Sequence, residues 1–594
     1  MIRVSDKRIP VALVSILLAT MFVVEFTTAR QESQIIDEAV HMAAGVMYWR
    51  TGDFRLNPEH PPLIKLIATL PLSLLPVKTF TDHPTWISWN EWEYADYFLY
   101  HNTFSVQTML MLARIPIMLL SIVLGWWIFR ASAGLFGQWG GAFSVALYTL
   151  DPNIIAHSRY ITTDLGFSAC AFVSIYRLVR LLQEPTKRNG IWFGAAYLAM
   201  ALSKFSSIPF TLIIIAVLIL VKILHRNHLA LQWRVVRKWL FVAVPAMALI
   251  TWSMYGFDFR SPSEDPRINQ LYSQRDTLLQ EKDPQSLPPL ERFVVTKLGD
   301  KGQRLGQMLE DASHLRIPGY TFFRGAFAVI GHSIGGQGAY LLGRSGDRGW
   351  WYYFPVAILT KTPLPTLLTA LFVITFGCIY SIMIRKRSFS VLDAARRIPI
   401  PYLVYSAVPI LFLATSMTSH LNLGWRHIMP LYPFLFVLAG SLTRLPMGPY
   451  VRSRAVVPML VAGSLVVVQV GTYPNELGYF NSLVGGTREG PRYLLDSNID
   501  WGQDLPKLQR YVHDNDITVL PFDYYGRAAV SYYLPQAIPL PTSWDLSNGT
   551  EKPRGTVAIS VGSLFRTDRA FDWLWKERPV ARIGSSINIY QLDG

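Results

Sequence analysis

The sequence predicts a mainly α-helical, polytopic membrane protein with a small α+β domain at its C-terminal end. Three observations lead to this. Of the 594 residues, 51% are hydrophobic and only 16% are charged, with 18 Trp and 32 Phe, a balance outside that of ordinary soluble domains. Apolar runs near the ~20 residues a helix needs to cross a bilayer recur along the chain. Beyond residue 472 the pattern changes to strand-like runs (Val557 to Val561, Ile587 to Leu592) beside a helix-like one (Asp504 to His513).

Eleven runs qualify as spans: 9–28, 106–129, 132–150, 163–183, 190–204, 206–223, 239–256, 353–383, 400–417, 427–443 and 455–472. The first follows the basic start Arg3, Lys7, Arg8. It is long enough to cross, so it reads as an uncleaved anchor rather than a signal peptide. Orientation follows from Lys and Arg in the short loops. With the N-terminus in the cytoplasm, twenty-one cations fall inside, among them Arg177, Arg180, Lys222, Arg234, Arg385 and Arg452. Only Arg159, Lys204 and Arg426 fall in the short outer loops. The formal charge of +15 is therefore a membrane-topology signal and implies no nucleic-acid partner. Cys170 and Cys378 both sit in apolar runs, which excludes a disulfide framework and a Cys-based metal site.

A transmembrane module (1–472) and an extracytoplasmic C-terminal domain (473–594) result, with outer loops 29–105 and 257–352. In the first loop the apolar stretch Leu63 to Leu75, broken by Pro71, suits a helix lying in the outer interface. Trp86, Trp89, Trp92, Tyr94 and Tyr97 suit the same interface. The second loop runs from a polar half (Ser261 to Asp311) to a Gly- and aromatic-rich half ending at Phe354.

The unusual polar residues converge on one leaflet. Asp37, Glu38, His41, Glu59, His60 and Lys65 lie in the first outer loop; Arg159 and Asp164 precede and open the fourth span. Lys204 ends the fifth span, Lys361 lies in the outer third of the eighth, and Arg426 and His427 open the tenth. Ionisable groups at the ends of apolar helices are costly and mark a site or pathway. If Asp37 begins a helix, Glu38 points about 100° away while His41, at i+4, shares the Asp37 face. Asp37 is then the expected base, His41 its orienting partner and Glu38 a supporting group. The expected phosphate ligands are Arg426, Lys204, Lys361 and Lys65, in that order, because the guanidinium fork suits planar anion contact. Glu59, His60 and His41 are a candidate divalent-metal set, although their spacing matches no established ligand motif.

The pairing of Asp37-Glu38 with His60-Pro61-Pro62-Leu63-Ile64-Lys65 resembles the first external loop of protein O-mannosyltransferases, where a paired Asp-Glu precedes a His-Pro-Pro-Leu-x-Lys box. It is also similar to the lipid A aminoarabinose transferases, in which an acidic residue matching Glu59 precedes Pro-Pro-Leu. The resemblance covers roughly 9–225 and 353–470. It implies a GT-C-type glycosyltransferase that draws a sugar from a polyprenyl phosphate and inverts in a single displacement. The Asp matching Asp37 would be the base, and the one matching Asp164 would shape the acceptor side. Two departures matter. His60 stands where aminoarabinose transferases have Lys, and the loop 257–352 is too short for the β-trefoil module of the mannosyltransferases. The run Asp496-Ser497-Asn498-Ile499-Asp500-Trp501-Gly502-Gln503-Asp504-Leu505 looks like that of uncharacterised bacterial members of this group. That implies a bacterial inner-membrane protein with a periplasmic tail, acting on a lipid, glycan or protein acceptor.

Two other readings compete. A transporter or flippase of lipid-linked sugars would be equally polytopic, but its charges would line a path through both leaflets. Gly331-His332-Ser333-Ile334-Gly335, behind a strand-like Ala326 to Ile330, matches a hydrolase nucleophile elbow. Too few residues follow before the next span to build the sheet that elbow requires.

Overall fold

The computed structural model describes residues 8–225, 245–266, 314–386, 390–444, 455–565 and 569–593. Residues 239–244 of the expected span 239–256, most of the polar half of the expected second outer loop, and the basic residues Arg3, Lys7, Arg226, Arg234, Arg237, Lys238, Arg387, Arg452 and Arg454 lie outside them.

Among the described residues five helices are long and apolar enough to cross a bilayer: Arg8–Ala29, Val106–Thr149, Thr163–Gln183, Ser207–Leu224 and Ile400–Met417. A sixth results if the pair Tyr353–Lys361 and Leu364–Ile379, bent by 118°, is one span. Several expected boundaries change for identifiable reasons. The second and third expected spans form one 44-residue helix whose break falls at Gly137 (φ 81°, ψ 173°), not near residue 130. Only glycine takes that backbone conformation without strain. The long eighth run breaks at Thr362-Pro363, because a proline cannot continue the preceding helix. The tenth becomes a 3-10 turn (Trp425–Leu431), a two-turn helix (Tyr432–Ala439) and a second 3-10 turn (Gly440–Arg444), with Pro430 inside the first. The fifth and last runs give helices of 15 and 17 residues, Lys187–Ala201 and Val456–Thr472.

Residues 29–105, expected as the first outer loop, are folded onto the helices. It supplies Glu38–Thr51, Leu63–Ser73 and Glu91–Tyr100, which bury Met42, Val46, Ile64, Ala68, Tyr94 and Phe98 in one core with the membrane helices. Two expectations are corrected here. Trp86 and Trp89 are buried inside the protein, where the Arg55 guanidinium lies 4.7 Å and 5.2 Å from their rings. The Gly-x-Ser-x-Gly sequence sits in a helix, Tyr320–Gly335, and Ala326 to Ile330 belongs to that helix, so no strand feeds an elbow. The C-terminal domain is α+β as expected. Its five-stranded sheet runs in the order Ala537–Pro539, Leu520–Asp523, Gly555–Ser560, Ile587–Leu592, Ala581–Ile583, with Leu505–Asp514 packed against it through Leu508 and Val512.

Candidate functional site

Four charged residues from distant parts of the chain meet at helix ends. Asp37 stands at the N-cap of Glu38–Thr51 but makes no capping bond. Its carboxylate instead accepts from Arg426 Nη1 at 2.8 Å. The same Nη1 reaches Asp164 Oδ2 at 3.4 Å, and the other oxygen of Asp164 is 2.5 Å from Lys204 Nζ. Asp164 lies in the first turn of Thr163–Gln183, whose cap residue Thr162 leaves its hydroxyl unbonded. Positive and negative groups thus alternate along Asp37–Arg426–Asp164–Lys204. The line is half-open, with side chains exposed by 22% at Asp37, 14% at Lys204, 10% at Arg426 and 4% at Asp164. Arg426 Nε is buried without a partner. A buried donor on a cation that no protein group accepts is available to an anion, since leaving it unpaired costs free energy.

The imidazoles stand around this line. His41 donates Nδ1–H to the Ile161 carbonyl at 2.7 Å, and its ring meets that of His60 edge to face, with centroids 5.1 Å apart. Its bond therefore runs to the loop preceding Asp164 and not to Asp37, which it was expected to orient. Burial pulls His41 down to about 4 against the opposing field of Asp37, so the ring is neutral near pH 7. Burial lowers His60 in the same direction, helped by His41, Lys204 and Lys65. Glu59 and His60 are half-buried beside it. Glu59, His60 and His41 are not arranged to hold a metal, and no group of three or more His, Cys, Asp or Glu is so arranged among the described residues.

Four of the expected residues are engaged elsewhere. Glu38 is fully buried and grips Arg114 through two bonds of 2.8 Å and 2.6 Å, while accepting from the Ile35 and Ile161 amides. Arg159 is held between Glu32 (2.7 Å) and Glu476 (3.2 Å). Lys65 is buried and donates to the Tyr48 hydroxyl, the Asn57 side chain and the Asn57 and His60 carbonyls, which shapes the 57–60 loop. Lys361 is buried against the Leu477 and Asn498 carbonyls. Both lysines are thus turned to backbone acceptors, and of the four expected phosphate ligands Arg426 and Lys204 are the two that stand in the charged line. His427 lies next to Arg426 and is half-buried.

One participant was not anticipated. The Arg426 guanidinium carbon lies 4.3 Å from the centre of the Trp501 ring, and Trp501 belongs to the C-terminal domain. Asp496 of the same segment interacts electrostatically with both Arg426 and Asp37; burial pushes its carboxyl up while Arg426 opposes the shift. The density of Asp, Asn and Gly between 496 and 504 was the available signal.

Helices long enough to cross a bilayer, with carboxylates and cations gathered at their ends, give the chain the make-up of an enzyme working beside a membrane. Residues 103–253 match the sequence model of the dolichyl-phosphate-mannose-protein mannosyltransferase family, a stretch that contains Asp164 and Lys204. With that match the expectation of a membrane glycosyltransferase is borne out. No curated protein matches the chain. Among solved structures it is similar to ArnT from Cupriavidus metallidurans bound to undecaprenyl phosphate (13% identity, TM-score 0.41, 97% of each chain). The apo state of the same protein compares at 14% and 0.42 over 98% of each chain. The archaeal oligosaccharyltransferase AglB from Archaeoglobus fulgidus, in complex with an inhibitory peptide and a dolichol-phosphate, compares at 9% and 0.41, over 95% of this chain and 72% of that one.

Proposed function

We propose that the chain transfers a sugar from a polyprenyl phosphate to an extracytoplasmic acceptor, with inversion, on the outer face of a bacterial inner membrane. The observation that carries this reading is the line Asp37–Arg426–Asp164–Lys204 with its unmatched Arg426 Nε. Two carboxylates and two cations sum to zero, so an incoming phosphate finds cations whose present partners are exchangeable. As the phosphate engages Arg426 and Lys204, Asp37 loses its ion partner and is free to take the acceptor's proton. The acceptor oxygen or nitrogen bonds to the anomeric carbon while the C–O bond to phosphate breaks. Charge building on the leaving phosphate falls on the two cations. The membrane surface is where a lipid-borne donor and a water-soluble acceptor can both arrive. Asp164 spaces the two cations and borders the acceptor side. The match over 103–253 and the lipid phosphates bound by ArnT and AglB agree with this choice of donor.

The test is release of free polyprenyl phosphate by the purified protein, given a panel of polyprenyl-phosphate sugars and a detergent extract of its own membranes as acceptor. Release should depend on one sugar and drop by ~10²–10⁴ in Asp37→Asn, the size of a general-base contribution. Lipid binding with no release from any donor would sink the transferase reading and leave the flippase.

A further inference from the structure

We propose that Trp501 is a positioning residue for Arg426, so that the C-terminal domain completes the anion-binding end of the site. The inference rests on the reading of Arg426 as a donor-phosphate ligand. Three independent sets of contacts carry it.

The first is the stacking itself. Trp501 is 1% exposed, so its ring faces the Arg426 guanidinium carbon, at 4.3 Å, away from water. A cation over an indole face is attracted by the ring quadrupole, most strongly when desolvated. Asp37 and Asp164 hold only Nη1, which leaves the plane of the fork to be set by something else. Trp501 is itself fixed edge to face by His157 and Tyr160, with centroids 5.9 Å away in both cases.

The second set ties the tail segment to the two backbone segments that present Asp37 and Arg426. Asn498 Oδ1 accepts from the Trp425 amide at 3.0 Å, one residue before Arg426. At Gly424 (φ 143°) an added Cβ would lie 2.3 Å from Ser497 Oγ, so the tail touches the backbone there. On the other side the Trp501 carbonyl accepts from the Ile36 amide at 3.2 Å, one residue before Asp37. The Gln503 and Gly502 carbonyls accept from the Ser33 amide (3.0 Å) and hydroxyl (2.8 Å). One short segment therefore braces the backbones that present both Asp37 and Arg426.

The third set joins that segment to the sheet. Asp500 accepts from the Gly562 amide at 2.7 Å, just after the strand Gly555–Ser560. Asp504 accepts from the Ser585 and Ser586 amides and the Ser586 hydroxyl, at 3.0, 3.2 and 2.8 Å, just before Ile587–Leu592. The sheet thus fixes the segment, and the segment fixes the site.

The experiment measures binding of undecaprenyl phosphate, and of uncharged polyprenol, to the full chain and to Trp501→Phe, Trp501→Leu and Trp501→Ala. Phe keeps an aromatic face, Leu keeps bulk without one, and Ala keeps neither. We expect phosphate binding to weaken about tenfold in Trp501→Leu and to recover most of that loss in Trp501→Phe, with polyprenol binding equal in both. A purely structural tryptophan would weaken both ligands together. If Trp501→Ala does not fold, the Leu and Phe pair decides alone. Equal phosphate affinity in Leu, Phe and wild type overturns the role of Trp501 and leaves the transferase reading intact. Wild type that fails to bind undecaprenyl phosphate overturns both.

Discussion

Asp37 and Glu38 are neighbours in the chain and opposites in environment. Glu38 is fully buried and its two oxygens accept four bonds, two from Arg114 and one each from the Ile35 and Ile161 amides. Asp37 keeps 22% of its side chain exposed and has one close ion partner, which is shared with Asp164. The same contrast separates Arg114 and Arg159, which are saturated, from Arg426, which has an unmatched Nε. Saturated, water-free pairs fix a structure, and removing one partner strands a buried charge. Half-open pairs with spare donors are the ones a ligand can enter. Acidic residues side by side in the sequence thus divide into scaffold and site by how fully their lone pairs are used.

That division predicts which variants lose folding and which lose turnover. Asp37→Asn should show the largest effect on rate and leave the thermal midpoint near that of wild type. Arg114→Ala should do the reverse, costing about 3–5 kcal/mol of stability because Glu38 is left charged and unpaired. Yield of folded protein and thermal midpoint in detergent check this, and an Arg114→Ala protein as stable as wild type would contradict the scaffold assignment. Arg426→Lys is gentler: the charge stays but the fork is lost, so undecaprenyl-phosphate binding should weaken about tenfold with little change in melting. An unchanged affinity there would mean that the phosphate is held by Lys204 alone.

The sequence separated Asp37 from Glu38 by helical geometry, and the structure sends the two side chains to different partners, as a 100° turn requires. It ranked Lys204 ahead of Lys361 and Lys65 without identifying the partners of the last two. Lys65 and Lys361 end on backbone carbonyls of residues 57, 60, 477 and 498, and a carbonyl is the one acceptor every residue carries. Nothing in residue identity marks such a partner in advance. The spans were legible as apolar runs, but their breaks were legible only at Gly and Pro positions: Gly137, Pro363 and Pro430 redraw the second, third, eighth and tenth. Trp501 was hidden for a topological reason. A residue 75 positions after Arg426, in a domain of its own, reaches the site only because the tail folds back over the helix ends.

The imidazoles bear on stability and not on turnover, and the sign of their effect follows from burial. His41 is 3% exposed and donates to the Ile161 carbonyl; Asp37, Asp164, Lys65 and His60 are the charged or titratable groups around it. Its folded value of about 4 lies below the ordinary 6.5 because burial outweighs the pull of Asp37. As pH falls, the unfolded chain takes up the proton first, so stability is level above about 6.5 and declines toward about 4. The full decline from this group is at most about 3 kcal/mol, and His60, lowered by burial in the same direction, adds to it. Thermal midpoints in detergent should therefore fall between about pH 6.5 and pH 4. In His41→Gln the amide can still donate to Ile161, so the fall should be shallower while the neutral-pH midpoint changes little. An unaltered slope in that variant would show that His41 does not set the acid sensitivity.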